Sequence, residues 1–143
     1  MNFEEMLEKY RTENTEENRF QKMFGDLSSQ EEITEKMVEL TEQEIQKDSS
    51  MMSHRFATAR LKYMAEEKPE ELQEMFLKES LLTHLLEVEK EARRFMEMEK
   101  PKMMKSMGVT EELKAKDQMK WVGLMENLKH TLMEMAMKEY VYI

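Results

Sequence analysis

The scarcity of turn-forming residues most constrains what this chain can fold into. Its 143 residues include only three Gly and two Pro, the residues that most often make the tight turns of β-hairpins and β-sandwiches. No segment alternates apolar and polar residues for long enough to indicate a strand, whereas apolar residues recur at spacings of three and four almost everywhere. We therefore predict an all-α fold: a helical hairpin or bundle built on two long C-terminal helices, with shorter N-terminal helices.

Caps and breakers predict the limits of the shorter helices. Ser29 followed by Glu32 is a capping-box pattern, which predicts a helix that begins after Ser29 and ends near Lys47. Pro69 stands where a helix would begin, at the first position that favours proline. The other short helices are predicted over residues 3–10, 15–24, 53–67 and 69–79.

The two long helices are predicted over residues 81–107 and 111–139. Gly108 between them has the position of a left-handed C-cap, and Thr110 is a predicted N-cap. Pro101 lacks an amide hydrogen and is expected to kink or interrupt the first helix. At 1.5 Å per residue, the second would span about 43 Å.

A seam of apolar residues in the last helix predicts how the two long helices pack. From Trp121 to Met135 these residues recur with a mean spacing of about 3.5, which is typical of a helical hairpin or coiled coil. The sequence leaves open whether the seam packs within one chain or closes a homo-oligomer. The predicted structural core comprises Leu85, Phe95, Trp121, Met125, Leu128 and Leu132.

Acidic charge is concentrated in the first part of the chain. The formal net charge is -9, with 6 basic and 14 acidic residues up to Ser50 and 16 basic and 17 acidic residues after it. We therefore predict two parts, an acidic helical N-terminal arm over 1–50 and a helical domain over 51–143. The arm is the predicted partner-binding surface, through Glu31, Glu32, Glu35, Glu39, Glu42 and Glu44.

Residues that could carry chemistry are few. The chain has no Cys. Of the three His residues, only His130 is predicted to share a helix face with a carboxylate one turn away, Glu126. His130, His54 and His84 are all interpreted as surface or core histidines. The 18 Met residues suit soft Cu(I) ligation, core filling or an exposed partner-binding surface, and we favour core filling. We predict no catalytic residue, no cofactor and no metal site, and hence a protein that is not an enzyme. The uncharged runs are too short for a membrane span or a signal peptide, so we expect a cytoplasmic protein.

The C-terminal part resembles a known family. Its residues look like the C-terminal signature of the transposon-encoded protein family TnpV. The matching residues are the run 108–115, then Gln118-Met119, Trp121-Val122-Gly123, Met125 and Asn127, and the closing segment 139–142. The similarity is specific over about 35 residues and extends more weakly back to residue 55. The resemblance implies a small helical protein carried by a bacterial mobile element, with no established catalytic residues.

Two functional hypotheses follow. The first is a non-catalytic accessory or regulatory protein of a mobile genetic element that acts through protein–protein interaction. The alternative is an acidic DNA mimic that inhibits a nuclease or another DNA-binding protein, of the anti-restriction or anti-CRISPR type. Both predict a protein partner, with basic nucleic-acid-binding proteins as one class. Neither predicts direct nucleic-acid binding, which the negative charge disfavours, or membrane binding.

Overall fold

A computed structural model describes residues 2–13, 24–25, 27 and 29–143 of the chain, with the backbone alone at 10–13. The described residues form helices and no strand, which confirms the all-α prediction. The predicted helix over 15–24 lies almost wholly outside the described residues. The helices are α1 (Phe3–Glu13), α2 (Gln30–Lys47), α3 (Arg55–Glu67), α4 (Pro69–Leu77), α5 (Leu81–Met107), α6 (Glu111–Lys116) and α7 (Gln118–Ala136), followed by a π-helix (Met137–Val141).

Contacts divide the chain into two compact units, Met1–Leu86 and Glu87–Ile143. The boundary lies inside α5 and is not the boundary in charge at Ser50. In the first unit α2 contacts both α3 and α4, and α1 contacts α4. The charge changes at Ser50, but α2, which precedes Ser50, and α3 and α4, which follow it, belong to one compact unit. The division of the chain into two parts at Ser50 therefore stays a prediction.

The core of the first unit is shared among its helices. Each large apolar side chain buried there contributes about 1.5–3 kcal/mol relative to an exposed one. Because α2 supplies several of them, its place in the unit is fixed by packing. The buried core residues are Phe3, Leu7, Phe24, Ile33, Met37, Ile45, Ala57, Leu61, Met64, Leu72, Leu81 and Leu85.

The start of α2 confirms the predicted cap. The Ser29 hydroxyl accepts a hydrogen bond from the Glu32 backbone amide at 3.1 Å, which satisfies one of the amides that a helix N-terminus leaves free. The helix ends at Lys47, where the amide of Asp48 donates to the Ile45 carbonyl.

The second unit contains the predicted turn. Gly108 adopts φ +71°, and the amides of Gly108 and Val109 donate to the carbonyls of Lys105 and Met104. This is a Schellman motif, which satisfies the last carbonyls of α5. Pro101 does not interrupt α5, contrary to one of the predicted outcomes. Pro101 is exposed, so water can reach the carbonyl that its missing amide would have bonded.

The last helix is not continuous, and the prediction of one helix over 111–139 is wrong in this respect. Thr110 caps α6 as predicted, but α6 has only six residues and ends at Lys116. The carboxylate of Asp117 then accepts from the Lys120 amide at 3.1 Å and starts α7. The 19 residues of α7 span about 28 Å, and a π-helical turn follows.

The seam of α7 packs within the chain. Met125, Leu128 and Leu132 are buried together with Val109, and Trp121 packs against them half-buried, whereas Met135 is 39% exposed. Phe95 of α5 packs on the same cluster, and its ring centroid lies 5.7 Å from that of Tyr140. Among the predicted core residues, Leu85 belongs to the core of the first unit instead.

Candidate functional site

The outer face of α2 carries the predicted partner-binding carboxylates. At 100° per residue, Glu31, Glu35, Glu39 and Glu42 fall within about 80° of one another, and Glu32 lies beside them. These five residues, called here the acidic face, are exposed except for the half-buried Glu42. Ile33, Met37 and Ile45, on another side of α2, are buried in the core of the first unit, so the helix presents the acidic face from a packed support.

The sixth predicted residue, Glu44, does not belong to this face. It is exposed but lies about 170° around the helix from the centre of the acidic face. The structure thus brings five of the six predicted residues together.

The acidic face costs helix stability. Glu31 and Glu32 lie in the first turn, where the helix dipole favours negative charge, but Glu35 and Glu42 have no such local support. Glu35 stands four residues from both Glu31 and Glu39. Each such like-charge pair destabilises a helix by about 0.2–0.5 kcal/mol. Within the described residues the one ion pair on this face joins Glu39 to Lys36 at 3.7 Å. Helix stability alone therefore does not explain this row of carboxylates.

A hydrogen-bonded cluster closes the connection between α2 and α3. One carboxylate oxygen of Asp48 accepts from the Ser50 hydroxyl at 2.7 Å and the Ser50 amide at 3.2 Å, and lies 3.0 Å from the His54 Nε2. The Ser50 hydroxyl and then the His54 ring lower the pKa of Asp48 below its ordinary value. The sequence showed this segment only as a polar break.

The other two histidines also have partners. His84 accepts from the guanidinium Nε of the buried Arg60 at 3.3 Å. His130 lies 3.0 Å from Glu134, so its carboxylate partner is one turn after it rather than Glu126 before it. In the described part of the chain, no three His, Asp or Glu side chains gather in the way a metal ion requires.

Five methionines of the second unit line its core, whereas Met98 and Met119 are exposed. Together with Trp121 the five pack against the buried residues of α7, which agrees with core filling. Those that pack there are Met96, Met103, Met104, Met107 and the buried Met125.

A contact that the sequence did not predict joins α6 to α7. The Lys114 ammonium lies 4.7 Å from the centroid of the Trp121 ring, a cation–π contact worth about 0.5–1 kcal/mol when exposed. Asp117 is the residue that could have indicated this contact, because an Asp at this position can cap a new helix and so end α6 before α7.

A family model described as "Transposon-encoded protein TnpV" matches residues 42–141 of the chain. The match covers more than two thirds of the sequence. The chain belongs to the TnpV family. No curated protein and no solved structure matches it.

The TnpV match confirms the resemblance seen in the sequence and extends it at the N-terminal end, from about residue 55 to residue 42. It begins inside α2, so Glu42 is the single member of the acidic face within it. The family description makes the protein transposon-associated. No helix in the described ranges has both the length and the apolar composition to cross a membrane.

Proposed function

We propose that this TnpV protein is a cytoplasmic, non-catalytic accessory or regulatory protein of its mobile element, and that the acidic face of α2 binds a basic protein partner. The observation that carries the proposal is the row of exposed carboxylates on a helix whose other side is buried in a core. The backbone of a helix fixed in this way loses little conformational freedom on binding, which favours affinity.

Charge complementarity defines the partner. Carboxylates one turn apart fit Lys and Arg side chains spaced by one turn of a partner helix or held on a basic surface. Such contacts steer association and are screened by salt, since the Debye length falls from about 10 Å at 0.1 M to about 3 Å at 1 M. Binding is therefore expected to weaken steeply as ionic strength rises.

The DNA-mimic alternative fits the charge spacing less well. From Glu31 to Glu42 the acidic face extends about 16.5 Å along α2, so its five carboxylates recur about every 4 Å. Duplex DNA carries one charge per about 1.7 Å of its axis. The acidic face thus has less than half the linear charge density of a duplex, which supports a protein surface that recognises a basic partner over one that imitates DNA.

The experiment is partner capture with the tagged full-length chain in lysate from a host that carries the element. The test variant neutralises four members of the acidic face by substituting Glu31, Glu35, Glu39 and Glu42 with Gln. The control makes the same charge change with four exposed glutamates elsewhere. These control positions are Glu66, Glu67, Glu91 and Glu97.

The proposal predicts a protein that the wild-type chain and the control retain, that the α2 variant loses, and that high salt releases. Retention of the same proteins by all three chains would contradict it. Deletion of residues 1–50 is a poor substitute for this experiment, because it removes Ile33, Met37 and Ile45 from the core of the first unit.

A further inference from the structure

A second face of α7 carries a heptad pattern that the core of its unit does not use. Met119, Val122, Glu126, Lys129 and Met133 recur at alternating spacings of three and four, the a and d spacing of a coiled coil. Met119 is 84% exposed and Val122 is 43% exposed. Glu126 and Lys129 are also exposed, and Met133 is half-buried. The buried residues of α7 lie on a different side of the helix.

We propose that this face pairs α7 with α7 of a second copy of the chain, in antiparallel orientation. In antiparallel coiled coils an a position of one helix meets a d position of the other. In one register Glu126 of each copy faces Lys129 of the other, and Val122 of each copy faces Met133 of the other. The face is therefore complementary to itself in both charge and apolar character.

Charge also selects the orientation. A parallel pair would place Glu126 against Glu126 and Lys129 against Lys129, and such like-charge contacts are repulsive. Within the described residues neither Glu126 nor Lys129 forms an ion pair closer than 4 Å in its own chain. Both charges are therefore available to a second copy.

Glycine at position 123 is consistent with such a neighbour. Gly123 lies beside this face, and a Cβ added there would meet nothing within 4 Å. Packing inside the chain therefore gives no reason for a residue that lowers helix propensity. The interface is one helix face about 21 Å long, below the area of a standard stable complex, so we expect a weak dimer that forms at high protein concentration.

Sedimentation velocity over a concentration series up to the millimolar range measures the dimer. Glu126→Lys alone or Lys129→Glu alone turns both symmetric attractions into repulsions, and each is expected to weaken dimerisation about tenfold. The double variant restores the pairing with the charges exchanged, and its dimerisation returns to near the wild-type level. The control Lys120→Glu makes the same charge reversal on another side of α7 and leaves dimerisation unchanged.

Crosslinking tests the register, because the chain has no native Cys. Val122→Cys and Met133→Cys chains are expected to crosslink to each other when mixed, and neither crosslinks to itself. A wild-type chain that stays monomeric throughout, single charge variants that associate like the wild type, or Val122→Cys chains that crosslink to themselves would each overturn the proposal. Circular dichroism of every variant confirms that the helices are retained.

Discussion

A buried amide in the first unit provides the sharpest test of the packing described above. The Gln73 side chain of α4 is completely buried, and its Nε2 donates to the Thr34 hydroxyl of α2 at 2.6 Å. That hydroxyl in turn donates to the Gln30 carbonyl at 2.7 Å. The Gln73 Oε1 is buried and has no hydrogen-bond partner in the described structure. A buried polar atom left in this way costs about 1–3 kcal/mol.

Replacing Gln73 with Met removes this cost at nearly constant volume. The change loses one hydrogen bond, worth about 0.5–1.5 kcal/mol net, and removes the unsatisfied carbonyl. Thr34 keeps its bond to Gln30, so no new unpaired donor is created. We therefore expect Gln73→Met to raise the free energy of unfolding of the first unit by about 1 kcal/mol.

The measurement is urea unfolding followed by circular dichroism, because the single tryptophan, Trp121, lies in the second unit and its fluorescence reports on the wrong part of the chain. The control Thr34→Val leaves both polar ends of Gln73 buried and unpaired, and is expected to lower the free energy of unfolding by about 1–3 kcal/mol. The free energy of unfolding of the double variant, Gln73→Met with Thr34→Val, should be higher than the sum of the two single effects gives. A loss of stability greater than about 1 kcal/mol in Gln73→Met would refute the reasoning, since it would mean that Oε1 is satisfied.

Three further predictions concern caps, packing and pH. The pKa of Asp48 is lowered in the folded protein, so its ionised form stabilises the fold above the ordinary pKa of 3.8. This contribution is lost as pH falls through the folded-state pKa. Unfolding midpoints of the wild type and Asp48→Asn, measured from pH 6 down to pH 3, should therefore converge in acid. Glu79 adopts a left-handed φ of 60° after α4, a conformation that glycine tolerates better than other residues. Urea titration should therefore show that Glu79→Gly raises the free energy of unfolding by about 1 kcal/mol and that Gly108→Ala lowers it by about as much. Changes of the same sign in both variants would contradict the cap assignment. Leu128→Ala removes a fully buried side chain and should cost about 2–5 kcal/mol, read from Trp121 fluorescence during unfolding, whereas the exposed Met119→Ala should change little.

Most helix caps, which depend on neighbouring residues, could be predicted from the sequence. Ser29, Gly108 and Thr110 act on amides and carbonyls a few residues away, so residue type and position were sufficient. Asp117 uses the same chemistry, but the apolar periodicity on both sides of it favoured one continuous helix. Glu79 could not be predicted as a left-handed residue, because position alone does not single out a non-glycine at a helix end.

The parts that depend on distant residues could not be predicted. Thr34 and Gln73 meet across 39 positions, and no local pattern indicates that contact. The division of α5 between two cores was missed for the same reason: Leu85 and Phe95 share one apolar stripe, yet only Phe95 packs on the cluster that contains Trp121. For the acidic face, charge counting found the segment, and helix geometry was needed to separate Glu44 from the other five carboxylates.

The two faces of α2 are under different physical constraints. The inner face must fit α3 and α4, so Ile33 and Met37 tie the helix to the part of the chain that the TnpV model matches, although both residues precede that match. The outer face contributes nothing to this packing, and its repulsive carboxylates lower the stability of the helix. The two faces can therefore change independently: if the outer face binds the partner proposed above, substitutions there would alter that binding, while the inner face keeps α2 in place. On the proposed function, this separation lets a TnpV protein change its partner without losing its fold.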